Sequence, residues 1–218
     1  MKISKGVSCG IAAVVFGSAG LLLPSLANAD TIFSNMTSDP FNTGHSWTVA
    51  GSSSSYGYNG WASPFTPTSD AAASQIDVAI LMSSGTYLAN VGLYGDSSGL
   101  PGTLISGLYP VTIPSGAASP ESVTLSTPVA LTGGSQYWVS VLPGAADTSG
   151  YWNQNPGLGN NVAFTGDGTT WGPSGFGNTA YPGEFDVLGT ITPEPATLAL
   201  LAVGGLGLLM RRRRKVES

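Results

Sequence analysis

Residues 136–142 read QYWVSVL. Tyr137, Val139 and Val141 fall on one face of an extended chain, and Trp138, Ser140 and Leu142 on the other, a period of two. Aromatic and β-branched residues fill the run, and both suit a pleated, packed surface. The stretch is therefore read as a strand, entered through the turn cluster Thr132-Gly133-Gly134-Ser135. The same alternation recurs on either side. Residues 74–81 (SQIDVAIL) set Ile76, Val78 and Ile80 against Gln75, Asp77 and Ala79. Residues 183–191 (GEFDVLGTI) set Phe185, Val187 and Ile191 against Glu184, Asp186 and Thr190. Shorter candidates lie at 88–94, 103–108 and 122–125, separated by the turn clusters 95–99, 114–116 and 166–168. Between the two chain ends no stretch carries a helical period. Many short strands with Gly- and Pro-rich turns predict an all-β domain, an antiparallel, jelly-roll-like β-sandwich over 61–191. Residues 30–60 are expected to form an irregular Ser- and Gly-rich lead-in, with one strand near 46–49.

Charge is distributed unusually. All seven Lys and Arg lie at the ends, Lys2 and Lys5 at the front and Arg211 to Lys215 at the back. The formal charge of −5 for the whole chain hides ten acids and no base between 30 and 192. A domain without cationic side chains cannot neutralise phosphates, which excludes nucleic acid as a partner. Without a bridging cation, anionic membranes and acidic polysaccharides are disfavoured too. The single cysteine, Cys9, sits near the front, so the domain is expected to hold together without a disulfide.

The two ends explain the charges. Lys2 and Lys5 precede an apolar run over 7–23, followed by Ala27-Asn28-Ala29. This is the three-part pattern of a secretory signal over 1–29, with Ala27 and Ala29 as the small residues that signal peptidase needs. At the other end Pro193-Glu194-Pro195 is followed by an apolar segment over 196–210 and then Arg211, Arg212, Arg213 and Arg214. As a helix that segment would reach about 22 Å, a short span of a hydrocarbon core of about 30 Å. The arginines would remain cytoplasmic. In order and spacing, residues 192–218 resemble a PEP-CTERM sorting signal. The resemblance implies a Gram-negative host, processing by the membrane enzyme exosortase, transient anchoring in the inner membrane through the C-terminal helix, and delivery to the cell surface or extracellular matrix.

A second resemblance covers about 61–172. The pieces LYGDSSGLPGTLI (93–105) and LTGGSQYWVSV (131–141) carry it. This run resembles the bacterial surface ectodomains called choice-of-anchor domains, in particular the one lettered R. The resemblance implies a β-sandwich at the cell surface and no established activity. In physical terms, residues 96–102 must reverse the chain, and Asp, Ser, Gly and Pro are the residues that do so.

The chemistry expected of the domain is sparse. His45 is the only histidine. No nucleophile elbow, Walker loop or dinucleotide fingerprint accompanies it. Glu184 and Asp186 share a strand face about 6.6 Å apart, as in the E-x-D-x-x-E strand of jelly-roll glycan hydrolases. The third acid would fall at position 189, which is glycine, so the pair is read as solvent-facing. No enzyme activity and no obligatory cofactor are expected. Calcium is the one candidate ion, with the turn residues Asp96, Asp147 and Asp167 as hard-oxygen ligands. Among the five tryptophans, Trp61 and Trp138 are expected in the core. Trp152 and Trp171, in a loop-rich segment, are candidates for stacking on sugar rings. The expected role is structural or adhesive, with a carbohydrate-binding module as the alternative and a hydrolase as a weaker one.

Overall fold

The computed structural model describes residues 29–192, apart from 40, 42–43, 114–115, 117–119, 159–161 and 176–179. The apolar run of the expected signal, Ala27, the Pro193-Glu194-Pro195 motif and the terminal arginines lie outside the described residues. Within them the chain is all-β, with no helix and every strand pair antiparallel.

Three sheets build the domain. The first has four strands in the order β1 (Asp30–Ser34), β13 (Phe185–Ile191), β4 (Ala71–Val78), β8 (Glu121–Leu131). The second has three: β2 (Ser46–Ala50), β10 (Ser149–Asn153), β5 (Ile80–Ser84). The third has six: β12 (Gly172–Pro173), β11 (Ala163–Thr165), β3 (Gly60–Phe65), β9 (Tyr137–Pro143), β6 (Leu88–Ser97), β7 (Leu100–Thr112). The main core lies between the sheets. Ile76, Val78, Ile80, Val91, Val139, Val141, Trp152, Phe185 and Val187 are wholly buried in it. Phe33 stacks on Phe185 at 5.3 Å, and Phe65 meets Phe185 edge-on at 5.9 Å.

The strand read from residues 136–142 is β9. It is paired on both sides, with β3 and β6. Its two faces enter different cores: Val139 and Val141 face the main one, while Trp138 joins Ala62, Tyr94 and Ala163 in a smaller cluster on the far side of the sheet. The hairpin expected after residue 95 turns through Ser98 and Gly99, with φ of 57° and 82°. Two adjacent residues with positive φ are the type I′ pattern that matches strand twist.

Two expectations are corrected. Residues 74–81 are not one strand. β4 ends at Val78 and β5 begins at Ile80, in a different sheet. Ala79 is the junction: its N–H donates to the Glu184 carbonyl (3.1 Å), and its carbonyl accepts from the Asn153 N–H (2.9 Å). Ile76, Val78 and Ile80 stay buried across the break, so the alternation runs through it unaltered. The lead-in over 30–60 is not irregular as a whole. It supplies β1, paired with β13, and β2, paired with β10.

Candidate functional site

Three places gather polar or aromatic side chains: the turns holding Asp96 and Asp167, a buried corner at Glu184, and an aromatic cleft.

The turn acids are held by hydrogen bonds. Asp96 Oδ1 accepts from Trp138 Nε1 and from Gln136 Nε2, each at 2.8 Å, and Oδ2 accepts from the Gly99 amide at 3.1 Å. Burial raises its pKa, but the three donors together outweigh it and hold the carboxyl below the usual carboxylate range. Asp167 Oδ1 accepts from the amides of Thr170 (2.7 Å) and Thr169 (2.8 Å) and from Thr165 Oγ1 (3.0 Å). The two amides hold this carboxyl far below its ordinary value. Asp147 is exposed in the turn between β9 and β10. Among the described residues no three His, Cys, Asp or Glu side chains are arranged to hold a metal ion. Asp96, Asp147 and Asp167 stand in three separate turns and are not brought together as one three-acid site.

The E-x-D pair is not solvent-facing. Phe185 points into the core, so Glu184 and Asp186 point the other way. Residues 35–37 lie across that side. The Asn35 amide donates to the Phe185 carbonyl (3.2 Å), and the Thr37 amide donates to Glu184 Oε1 (3.2 Å). Glu184 is 0% exposed as a result. The Asn35 side chain closes the corner: Oδ1 accepts from the Phe185 N–H (2.7 Å), and Nδ2 donates to the Gly183 carbonyl (2.9 Å). Burial pushes the Glu184 carboxyl up, Thr37 opposes it, and the charges of Asp186 and Asp39 add to the rise. Burial also lifts Asp186, against a pull from Ser34, and the Asp77 charge adds to it. A side chain at Gly189 would run into the Ala72 carbonyl. The third acid of a hydrolase strand has no room there.

Of the two tryptophans proposed for sugar stacking, Trp152 is placed otherwise. Trp152 is 0% exposed, and its Nε1 donates to the Glu184 carbonyl at 3.0 Å. Gly183 lies directly against its ring. Trp152 therefore fills the core and cannot touch a glycan. Trp171 is half-buried and packs edge-on against Tyr94 at 5.6 Å. Trp61 and Trp138 are buried, as expected.

The aromatic cleft lies elsewhere, with a volume of about 460 Å³. Trp47 and Trp61 stack at 4.1 Å along its wall, and Phe164 tilts onto Trp61 at 5.0 Å. Both indole N–H groups are spent on backbone carbonyls, Trp47 on Tyr181 (2.9 Å) and Trp61 on Thr48 (2.7 Å). That fixes the rings, which are largely buried and reach the cleft with only a small part of their carbon surface. Tyr56, 57% exposed, and Asn59 line it too, beside Ser46, Thr48 and Ser174. Trp47, Tyr56 and Asn59 all come from the segment read as a lead-in. His45, next to β2, packs edge-on against Tyr181 at 5.4 Å.

Fold and cleft together define an antiparallel β-sandwich with one aromatic cleft among its described residues. Residues 192–215 match the family model of the PEP-CTERM protein-sorting motif. That motif marks an exported protein, sorted to the cell surface by exosortase. No curated protein matches the chain.

Proposed function

We propose that the sorted domain is a non-catalytic adhesive protein of the surface or extracellular matrix that holds neutral polysaccharide in the Trp47–Tyr56–Trp61 cleft. The observation that carries this reading is the exposed Tyr56 ring lining the same cleft as the hydrogen-bonded Trp47 and Trp61. Aromatic rings stack on apolar surfaces at low entropic cost, and Asn59 beside them offers both a donor and an acceptor for hydroxyls. The absence of Lys and Arg from 30–192 favours neutral over acidic chains. The resemblance of 61–172 to choice-of-anchor R ectodomains agrees with such a surface role.

The test is a glycan-array screen of the exported protein beside its Tyr56→Ala variant. Binding to neutral glycans, weakened about tenfold by loss of one stacking ring, is expected. A folded protein that binds no glycan leaves a purely structural role.

A further inference from the structure

Four buried side-chain polar atoms among the described residues have no hydrogen-bond partner: Thr37 Oγ1, Glu184 Oε2, Asp186 Oδ1 and Asn153 Nδ2. Buried polar atoms are nearly always satisfied, so each exception needs a reason. Three of the four are oxygens of one corner. Thr37 covers Glu184, its amide already bonded to Oε1. Glu184 and Asp186 project on the same side of the chain, one residue apart.

The strand register adds an independent strain. Ser34 of β1 lies opposite Asp186 of β13, Asp186 opposite Asp77 of β4, and Asp77 opposite Ser122 of β8. Two carboxylates thus stand directly across a ladder, with Cβ atoms about 5 Å apart, where like charges repel. Gln75 Nε2 donates to Asp77 Oδ1 at 2.7 Å. Asp186 receives no such donor on Oδ1. No Lys or Arg exists between 30 and 192 to answer these charges. Compensation by a cationic side chain from within the domain is therefore closed.

We propose that Glu184 Oε2, Asp186 Oδ1 and Thr37 Oγ1 form a site for a divalent, oxygen-seeking cation, best suited to Ca²⁺. Calcium accepts six to eight oxygens in irregular geometry, hydroxyls, carbonyls and waters among them. Two carboxylates completed by neutral oxygens and water satisfy it. Magnesium demands a near-ideal octahedron and sheds water reluctantly, which a corner of fixed strands does not offer. The site is separate from the aromatic cleft and from the turn acids Asp96 and Asp167. The ion would tie residues 35–37 to β13, and hence the first strand of the domain to the last.

The test uses the full-length chain in non-ionic detergent, stripped with a chelator and titrated calorimetrically with CaCl2, with circular dichroism as the check on folding. One ion per chain is expected, in the range of about 10⁻⁴–10⁻³ M found for extracellular modules. Glu184→Gln and Asp186→Asn, close in shape to the originals, should each weaken binding by about tenfold or more, because ligand charge sets affinity. Asp96→Asn and Asp167→Asn should leave it unchanged. Melting temperature should rise with Ca²⁺ beyond the effect of NaCl at equal ionic strength, as mass action requires. A folded chain that takes up no Ca²⁺ overturns the proposal. So does uptake that survives in folded Asp186→Asn, whose side chain is only half-buried and the safer of the two to change.

Discussion

Asp167 and Glu184 are both carboxylates in a domain with no positive side chain, and they fare very differently. Asp167 Oδ1 takes three hydrogen bonds, two of them from successive backbone amides. Glu184 takes one, on Oε1, while Oε2 is buried without a partner. The difference lies in where backbone N–H groups are to be had. A turn leaves amides unspent, and they converge on a short side chain two or three residues back. A strand has committed its amides to its neighbours, so an acid beside one must draw on another segment. With no Lys or Arg in reach, turns supply the counter-charge here and strands do not.

The most direct way to break this comparison is at Asn35, the one side chain that does bring donor and acceptor to the Glu184 corner. Asn35→Ala would leave the Phe185 N–H and the Gly183 carbonyl unpaired, at about 1–3 kcal/mol each. Urea denaturation should show a loss of about 2–4 kcal/mol; a loss near zero would mean that water replaces the side chain freely. Next is Asp96, which anchors the buried Trp138 indole through Nε1. Asp96→Ala should cost about 1–2 kcal/mol, and Asp96→Asn clearly less, since an amide oxygen still accepts; equal losses would show that charge matters more than the bond.

Acid titration sharpens the contrast further. Asp96 and Asp167 have folded pKa values below the ordinary carboxylate value of about 3.9. Their contribution is present above that value and is lost as pH falls through the folded one. Stability should therefore drop below about pH 4, and Asp96→Asn combined with Asp167→Asn should flatten that drop, as followed by thermal melts across pH 2–5. An unchanged acid limb in the double variant would place the lost stability elsewhere. At pH 7 the Asp167→Asn change alone should be the smallest effect of all in thermal melts, because the Asn oxygen still meets the Thr169 and Thr170 amides.

The sandwich was legible in the sequence where alternation, composition and turn residues agreed. β9, the Ser98–Gly99 hairpin and β13 are such cases. The break at Ala79 was not legible. The side chains keep alternating through it, and only distant backbone partners, Glu184 and Asn153, reveal it. Glu184 was misread for a related reason. On its own strand it looks solvent-facing, and what buries it is a segment almost 150 residues earlier in the chain. The cleft was hidden because Trp47 and Tyr56 sit among Ser and Gly, a composition that reads as loop. Trp152 misled in the opposite sense: flanked by turn residues, it looked exposed, yet its register with Trp47 on β2 and Ile80 on β5 carries it inside. The aromatics within 46–59 were the available sign, an unusual density of rings for a linker.

β13 ends at Ile191, one residue before the sorting motif begins. It is an interior strand, gripped by β1 on one side and β4 on the other, both antiparallel. A pull on the tail therefore runs along the axis of β13 and shears two hydrogen-bond ladders at once. Bonds loaded in that way must slip together, whereas an edge strand peels one bond at a time. Forced unfolding is governed by the height of that barrier, not by equilibrium stability. Force applied along the tail should therefore meet more resistance at this strand than the equilibrium stability of the domain alone would set.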